Sequence, residues 1–243
     1  MIPSLALWQW LLAASCAACV GIAKTGMPGL AIFVVPVMVL TVGDARQSAG
    51  WLLPLLCTAD IFAVIYWRRH AAAWRLFKLA PWVLCGMALG AIALALPERI
   101  IRPGVAVIVI LMLAAHLWRQ RQPATPHIHP HPMLYGSTAG FATTVANAAS
   151  PVMNLYLLSQ DLPKAEFIAT GAWFFFLINL AKLPIYAWHG LLNARSLSAD
   201  LLLAPAVVAG ALAGRRLVDL LPQRVFNALV LILAAVSALL LFR

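Results

Sequence analysis

Three ionisable side chains stand inside otherwise apolar stretches: Lys24 in GIAKTGMPG, Asp60 in LCTADIFAVIYW and Lys182 in FFLINLAKLPIY. A charge near the centre of a bilayer costs at least about 2.5–3.5 kcal/mol on insertion scales, so the default reading of such a residue is functional. Snorkelling to an interface is the alternative. It is open to Lys24, close to a segment end, and to Lys182, six residues before Trp188. Asp60 is short and lies seven residues before Trp67, so it cannot reach far. Two lysines against one aspartate leave a net positive membrane interior, which suits a small anion. Asp60 either balances one lysine or carries a coupling proton.

Neutral polar groups gather as well. Gly140 to Tyr156 reads GFATTVANAASPVMNLY and holds Thr143, Thr144, Asn147, Ser150, Pro151 and Asn154. A lipid-facing helix would leave these groups without partners, and irregular backbone at membrane depth survives only inside protein or along a wet cavity. The stretch is therefore read as a break that faces something polar. A proline-kinked helix packing through small residues is the plainer alternative. Gly26, Pro28 and Gly29 interrupt an earlier stretch in the same way. A helix that restarts after a break presents free N–H groups and a positive dipole end. Two such ends near the midplane would bind an anion. Phe175, Asn179, Lys182 and Tyr186 fall at i, i+4, i+7 and i+11, one face of one helix. Thr143 and Asn147 share a face at i, i+4.

The elements that must hold these residues are membrane helices. The chain has 243 residues, 64% of them hydrophobic and 10% charged. A soluble domain of this size cannot hide that much apolar surface. The segments run at about 5–23, 30–42, 50–67, 79–96, 101–118, 133–147, 151–159, 167–187, 201–214 and 224–242. Segments 30–42 and 151–159 are too short for a span of about 20 residues, so 5–42 and 133–159 read as hairpins whose arms do not all cross. The N-terminus has no charged region before its apolar run and reads as the first membrane segment, not a cleaved signal. The net charge of +10 sits mostly in short loops, where it sets orientation and does not point to nucleic acid.

An internal duplication organises the chain. Gly21-Ile-Ala-Lys-Thr matches Gly140-Phe-Ala-Thr-Thr, 119 positions later. Gly86-x-x-x-Gly90 matches Gly210-x-x-x-Gly214, and Leu96-Pro97-Glu98-Arg99 matches Leu221-Pro222-Gln223-Arg224. Residues 1–118 form a first transmembrane repeat, 119–132 a cytoplasmic linker and 133–243 a second repeat. If both hairpins return to their starting side, loops 68–78, 119–132, 160–166 and 215–224 lie inside with 10 Lys/Arg, against 5 outside. Each half then makes three net crossings. The expected fold is an all-α polytopic membrane protein of two inverted-topology repeats, each a broken or re-entrant helical hairpin plus about three transmembrane helices. The Gly-x-x-x-Gly pairs serve packing first and leave a homodimer open.

Other constellations are set aside. Cys16, Cys19, Cys57 and Cys85 lie in apolar segments and read as small packing residues. His127, His129 and His131 alternate in the proline-rich linker without a cysteine or carboxylate, so no metal or other cofactor is expected. No His-Glu-x-x-His, Gly-x-Ser-x-Gly or phosphate loop is present, and no enzyme is expected.

The duplicated GIAKTGMPG and GFATTVANAASPVMNLYLL, with LPKAEFIATGAWFFFLINLAKLPIY, resemble the TauE/SafE family, the sulfite exporter-like permeases. The family's glycine-rich first motif is matched by Gly21, Lys24, Thr25, Gly26 and Gly29. The resemblance implies a multi-pass permease of the cytoplasmic (inner) membrane for sulfite, thiosulfate or organosulfonates. An exporter driven by the membrane potential or a proton gradient is expected. The substrate-binding set is then Lys24, Thr25, Gly26, Gly29, Thr143, Thr144, Asn147, Ser150, Asn154, Asn179 and Lys182, with Asp60 for coupling. An anion channel and a non-transporting assembly partner are the rival readings.

Overall fold

A computed structural model describes residues 5–71, 73–93, 98–120, 131–146, 149–188 and 190–240. Every regular element among them is helical. In order they are α1 (Leu7–Thr25), a 3-10 turn (Leu30–Phe33), α2 (Val34–Val42), α3 (Ala45–Trp67) with a 3-10 turn at Arg68–His70, α4 (Ala73–Ala93) and α5 (Glu98–Gln120). There follow α6 (Pro132–Ala146), α7 (Ala149–Leu158), α8 (Lys164–Trp188), α9 (Ala194–Leu220) and α10 (Gln223–Leu240). Six helices among the described residues are long and apolar enough to cross a membrane: α1, α3, α4, α8, α9 and α10.

Both short arms are real breaks. Helix α1 stops where the Gly26 and Met27 amides donate back to the Ile22 carbonyl, at 2.8 and 3.1 Å. Gly29 then takes φ +109°, a backbone that a Cβ would strain. Nine residues of α2 rise about 14 Å, under half of a 30 Å hydrocarbon core. In the second stretch α6 ends at Ala146 and α7 begins at Ala149. Pro151 lies within α7, two residues after its first described residue, Ala149.

Two compact units cut across the sequence halves. One holds 1–71 and 168–222; the other holds 72–167 and 223–243. In the first, α1, α2, α3 and α9 share a core of Ala13, Ala17, Val20, Met38, Trp51 and Leu203 with their neighbours. Gln9 Nε2 donates to the Thr41 carbonyl at 2.8 Å, so the end of α2 returns beside the start of α1. In the second unit Tyr156, near the end of α7, lies 5.5 Å from Tyr135, near the start of α6. Each hairpin comes back to the level at which it began.

One interface recurs in each unit. In the first, Gly21 stands against the Val207 carbonyl and the Ala211 amide, Gly210 against Ala18, and Gly214 against Ile22 and Thr25. In the second, Gly140 stands against the Val83 carbonyl and the Met87 amide, Gly86 against Ser137, and Gly90 against Phe141 and Thr144. Glycine lets the backbones approach; a Cβ on Gly210 would stand 2.8 Å from the Ala18 Cα, and one on Gly86 2.8 Å from the Ser137 Cα. The α1–α9 and α4–α6 contacts thus pair corresponding residues of the duplicated sequence.

Candidate functional site

Within the first unit, three helices bring their polar residues to one place. Lys24 Nζ of α1 lies 2.8 Å from Asp60 Oδ1 of α3. Asn179 Nδ2 of α8 donates to Asp60 Oδ2 at 2.7 Å. Both carboxylate oxygens are engaged, and Asp60 is 0% exposed. The Lys24 ammonium also stands over the Phe175 ring, 4.3 Å from its centroid, a cation–π contact. Its side chain is only 10% exposed, so Lys24 does not snorkel to a headgroup. Lys182, three residues beyond Asn179 on the same face, is buried too. The helical stripe read from the sequence therefore turns Phe175 and Asn179 toward the Lys24–Asp60 pair.

Neighbouring groups fix these helices. Trp67 Nε1 donates to the Thr25 carbonyl at 3.3 Å, tying the end of α1 to the end of α3. The Thr25 hydroxyl is placed against the Gly21 carbonyl at 3.0 Å and the Ala211 carbonyl at 2.7 Å, so it joins α1 to α9. Gly26 allows α1 to close on the Gly214 backbone. Gly29 forms the turn. Thr25, Gly26 and Gly29 thus shape the end of the helix that carries Lys24.

In the second unit, Thr143 is buried in α6 and the Thr144 hydroxyl donates to the Gly140 carbonyl at 2.9 Å. Ser150 is half-buried in the first turn of α7. Asn154 is 1% exposed, and its Nδ2 has no partner among the described residues. Asn147 lies outside the described residues, as do His127 and His129 of the linker. Among the described residues no group of three or more His, Cys, Asp or Glu could hold a metal ion.

Two residues escaped the sequence reading. Phe175 was placed on the polar stripe but not in the site. Asp200, in α9, is buried, with neither carboxylate oxygen hydrogen-bonded among the described residues. The signal for it was the Asn193-x-x-Ser196 capping box, which starts α9 ahead of the apolar run at Leu201.

A buried ammonium matched to one carboxylate can do two things. It can hold an oxyanion, and it can be released for that purpose when the carboxylate takes a proton. A family model described as sulfite exporter TauE/SafE matches residues 12–241. The chain belongs to the TauE/SafE family. No curated protein and no solved structure matches it. The TauE/SafE match covers most of the first hairpin, all of the second and every buried polar residue named above. TauE/SafE proteins are transporters, so the Lys24–Asp60–Asn179 cluster belongs to a multi-pass membrane transporter.

Proposed function

We propose that this TauE/SafE protein is a secondary transporter that exports small sulfur-containing oxyanions, such as sulfite, thiosulfate or organosulfonates, across the cytoplasmic membrane. The observation that carries the reading is the Lys24–Asp60 pair, buried at 2.8 Å between membrane helices and braced by Asn179. In this state Asp60 holds the ammonium. An arriving anion takes the place of the carboxylate, and a proton on Asp60 removes the competing charge. Anion and proton then bind together, which keeps the added charge near zero where charge is costly. Lys182 adds a second cation on the Asn179 face. The sequence expectation also assigns anion contacts to Thr143, Thr144, Asn147, Ser150 and Asn154, and to backbone amides near Gly26, Gly29 and Ser150.

The two sequence repeats, 1–118 and 133–243, insert with opposite orientation, as in other alternating-access transporters. Three observations support that topology. Both hairpins return to their starting level, corresponding glycines make the same contacts, and corresponding loops differ in charge. Epitope tags in loops 68–78 and 189–199 should report opposite sides of the membrane. Finding them on one side would end the inverted arrangement.

The transport reading is tested with labelled sulfite, thiosulfate and sulfoacetate in proteoliposomes. Counterflow should saturate with substrate on the opposite side and should fall at least about tenfold in Lys24→Met. Flux indifferent to substrate on the opposite side would make the protein a channel. No flux of any of the three would exclude the substrate class.

A further inference from the structure

Asp200 is the seventh residue of α9 and lies about 9 Å along the helix from its start, inside the span Ser196–Leu220. It is 6% exposed, and neither oxygen has a hydrogen-bond partner among the described residues. Its neighbours Ala199 and Leu203 belong to the apolar core shared with Ala13, Trp51 and Leu52. An aspartate this short cannot carry its charge out to water.

Helix α9 packs on α1 and α3. The ionisable groups on the described side chains of those two helices are Cys16, Cys19, Lys24, Cys57, Asp60 and Tyr66. Lys24 and Asp60 are committed to each other, and none of the six forms an ion pair or hydrogen bond with Asp200. On α9 itself, Arg215, Arg216 and Asp219 stand four or more turns away, with Arg215 stacked on Tyr66 at 4.1 Å. Among the described residues this buried carboxylate has neither a hydrogen-bond partner nor a counter-charge, which makes its ionised form costly. With no polar side chain bonded to it, no ligand shell for a metal ion is assembled. The one ligand that suits the site is a proton.

We propose that Asp200 is a proton-binding site, separate from the Lys24–Asp60 cluster, that loads and releases a proton in the transport cycle. In the conformation described here the carboxylate has taken one proton from water at the α9 N-terminal end and is a neutral carboxylic acid; no electrons move. Release follows when the first turns of α9 open to water. Helix α9 is also the one locked onto α1 through Gly210 and Gly214, and α1 carries Lys24. Movement of the proton-bearing helix therefore moves the anion-binding lysine.

The inference rests on the transport reading, and its test uses the full chain in proteoliposomes with thiosulfate. In Asp200→Asn, counterflow at equal pH on both sides should stay within about twofold of the parent. Uptake driven by an imposed pH gradient alone should fall at least tenfold. Infrared spectra at neutral pH should show a protonated-carboxyl carbonyl band that Asp200→Asn loses and Asp200→Glu shifts; the glutamate variant serves where the asparagine variant does not fold. Unchanged gradient-driven uptake in Asp200→Asn, or a band that neither substitution alters, overturns the proposal. Failure of the parent protein in counterflow, with the band intact, instead removes the transport reading and leaves Asp200 as a proton site without that role.

Discussion

Breaking the buried ion pair should be far more damaging than removing it whole. Lys24→Met leaves the Asp60 carboxylate, fully buried, without its ammonium and, among the described residues, with its Asn179 bond alone. Truncating one partner of a buried pair costs about 3–5 kcal/mol. Asp60→Asn leaves a lysine with a long stem and the Phe175 ring beneath its ammonium, a contact of about 0.5–2 kcal/mol, so its loss should be smaller. The double variant has no charge to compensate. Neutral replacement of a buried pair is often without cost, so the double variant should lie within about 1 kcal/mol of the parent. At about 2–4 °C per kcal/mol for a chain of this size, Lys24→Met should lower the apparent melting midpoint by roughly 6–20 °C. The assay is heating in detergent followed by size-exclusion chromatography of the surviving monodisperse protein. Because such unfolding is commonly irreversible, all variants need one heating protocol. A Lys24→Met loss near 0.6 kcal/mol, the average for a neutral hydrogen bond within a membrane, would mean that Asp60 is not a stranded charge. A double variant as unstable as the two singles added together would refute the pairing outright.

The recurrent interface predicts matched responses. Gly86→Ala and Gly210→Ala each drive a Cβ into backbone, so each should cost about 1–3 kcal/mol, equal to within about 1 kcal/mol in the same melting assay. Gly104→Ala in α5 meets nothing within 4 Å and should be neutral or stabilising by up to about 1 kcal/mol. Asn179→Leu removes the donor to a buried carboxylate and should cost about 1.5–3 kcal/mol, while Asn179→Gln should keep part of that bond. Because Arg215 stacks on Tyr66 at one end of the first unit and Gly50 meets Leu191 at the other, an impermeant thiol reagent should label Arg68→Cys and Arg216→Cys from one side and Asn193→Cys from the opposite side.

The residues that make the site were legible because charge is rare in apolar sequence. Lys24, Asp60 and Lys182 stood out, and helical spacing put Asn179 on the right face. The pairing itself was not legible: nothing in the sequence tells which lysine meets Asp60. Thr25 and Thr144 read as polar lining, yet each hydroxyl reaches a carbonyl four residues earlier. A threonine within a membrane helix can satisfy itself in this way, so its presence alone does not mark a wet surface. The apolar run at Leu201 hid the true start of α9 and with it Asp200. The first break falls at Gly26–Gly29 as expected, whereas Ser150 and Pro151 lie within α7. The glycines promised close packing without naming the partner, since a small-residue face fits any helix that comes near enough.

That partnership bears on how the protein is made. Ala18 waits in the bilayer until Gly210 has left the ribosome, whereas Gly86 meets Ser137 soon after both are synthesised. The second unit can therefore assemble early around α4 and α6, while α1 spends most of translation with its glycine face against lipid. Neither sequence half contains the helices of a finished unit. A polypeptide ending at Gln120, produced without the remainder, should be degraded; supplied in the same cell with a second polypeptide starting at His131, it should be rescued by complementation.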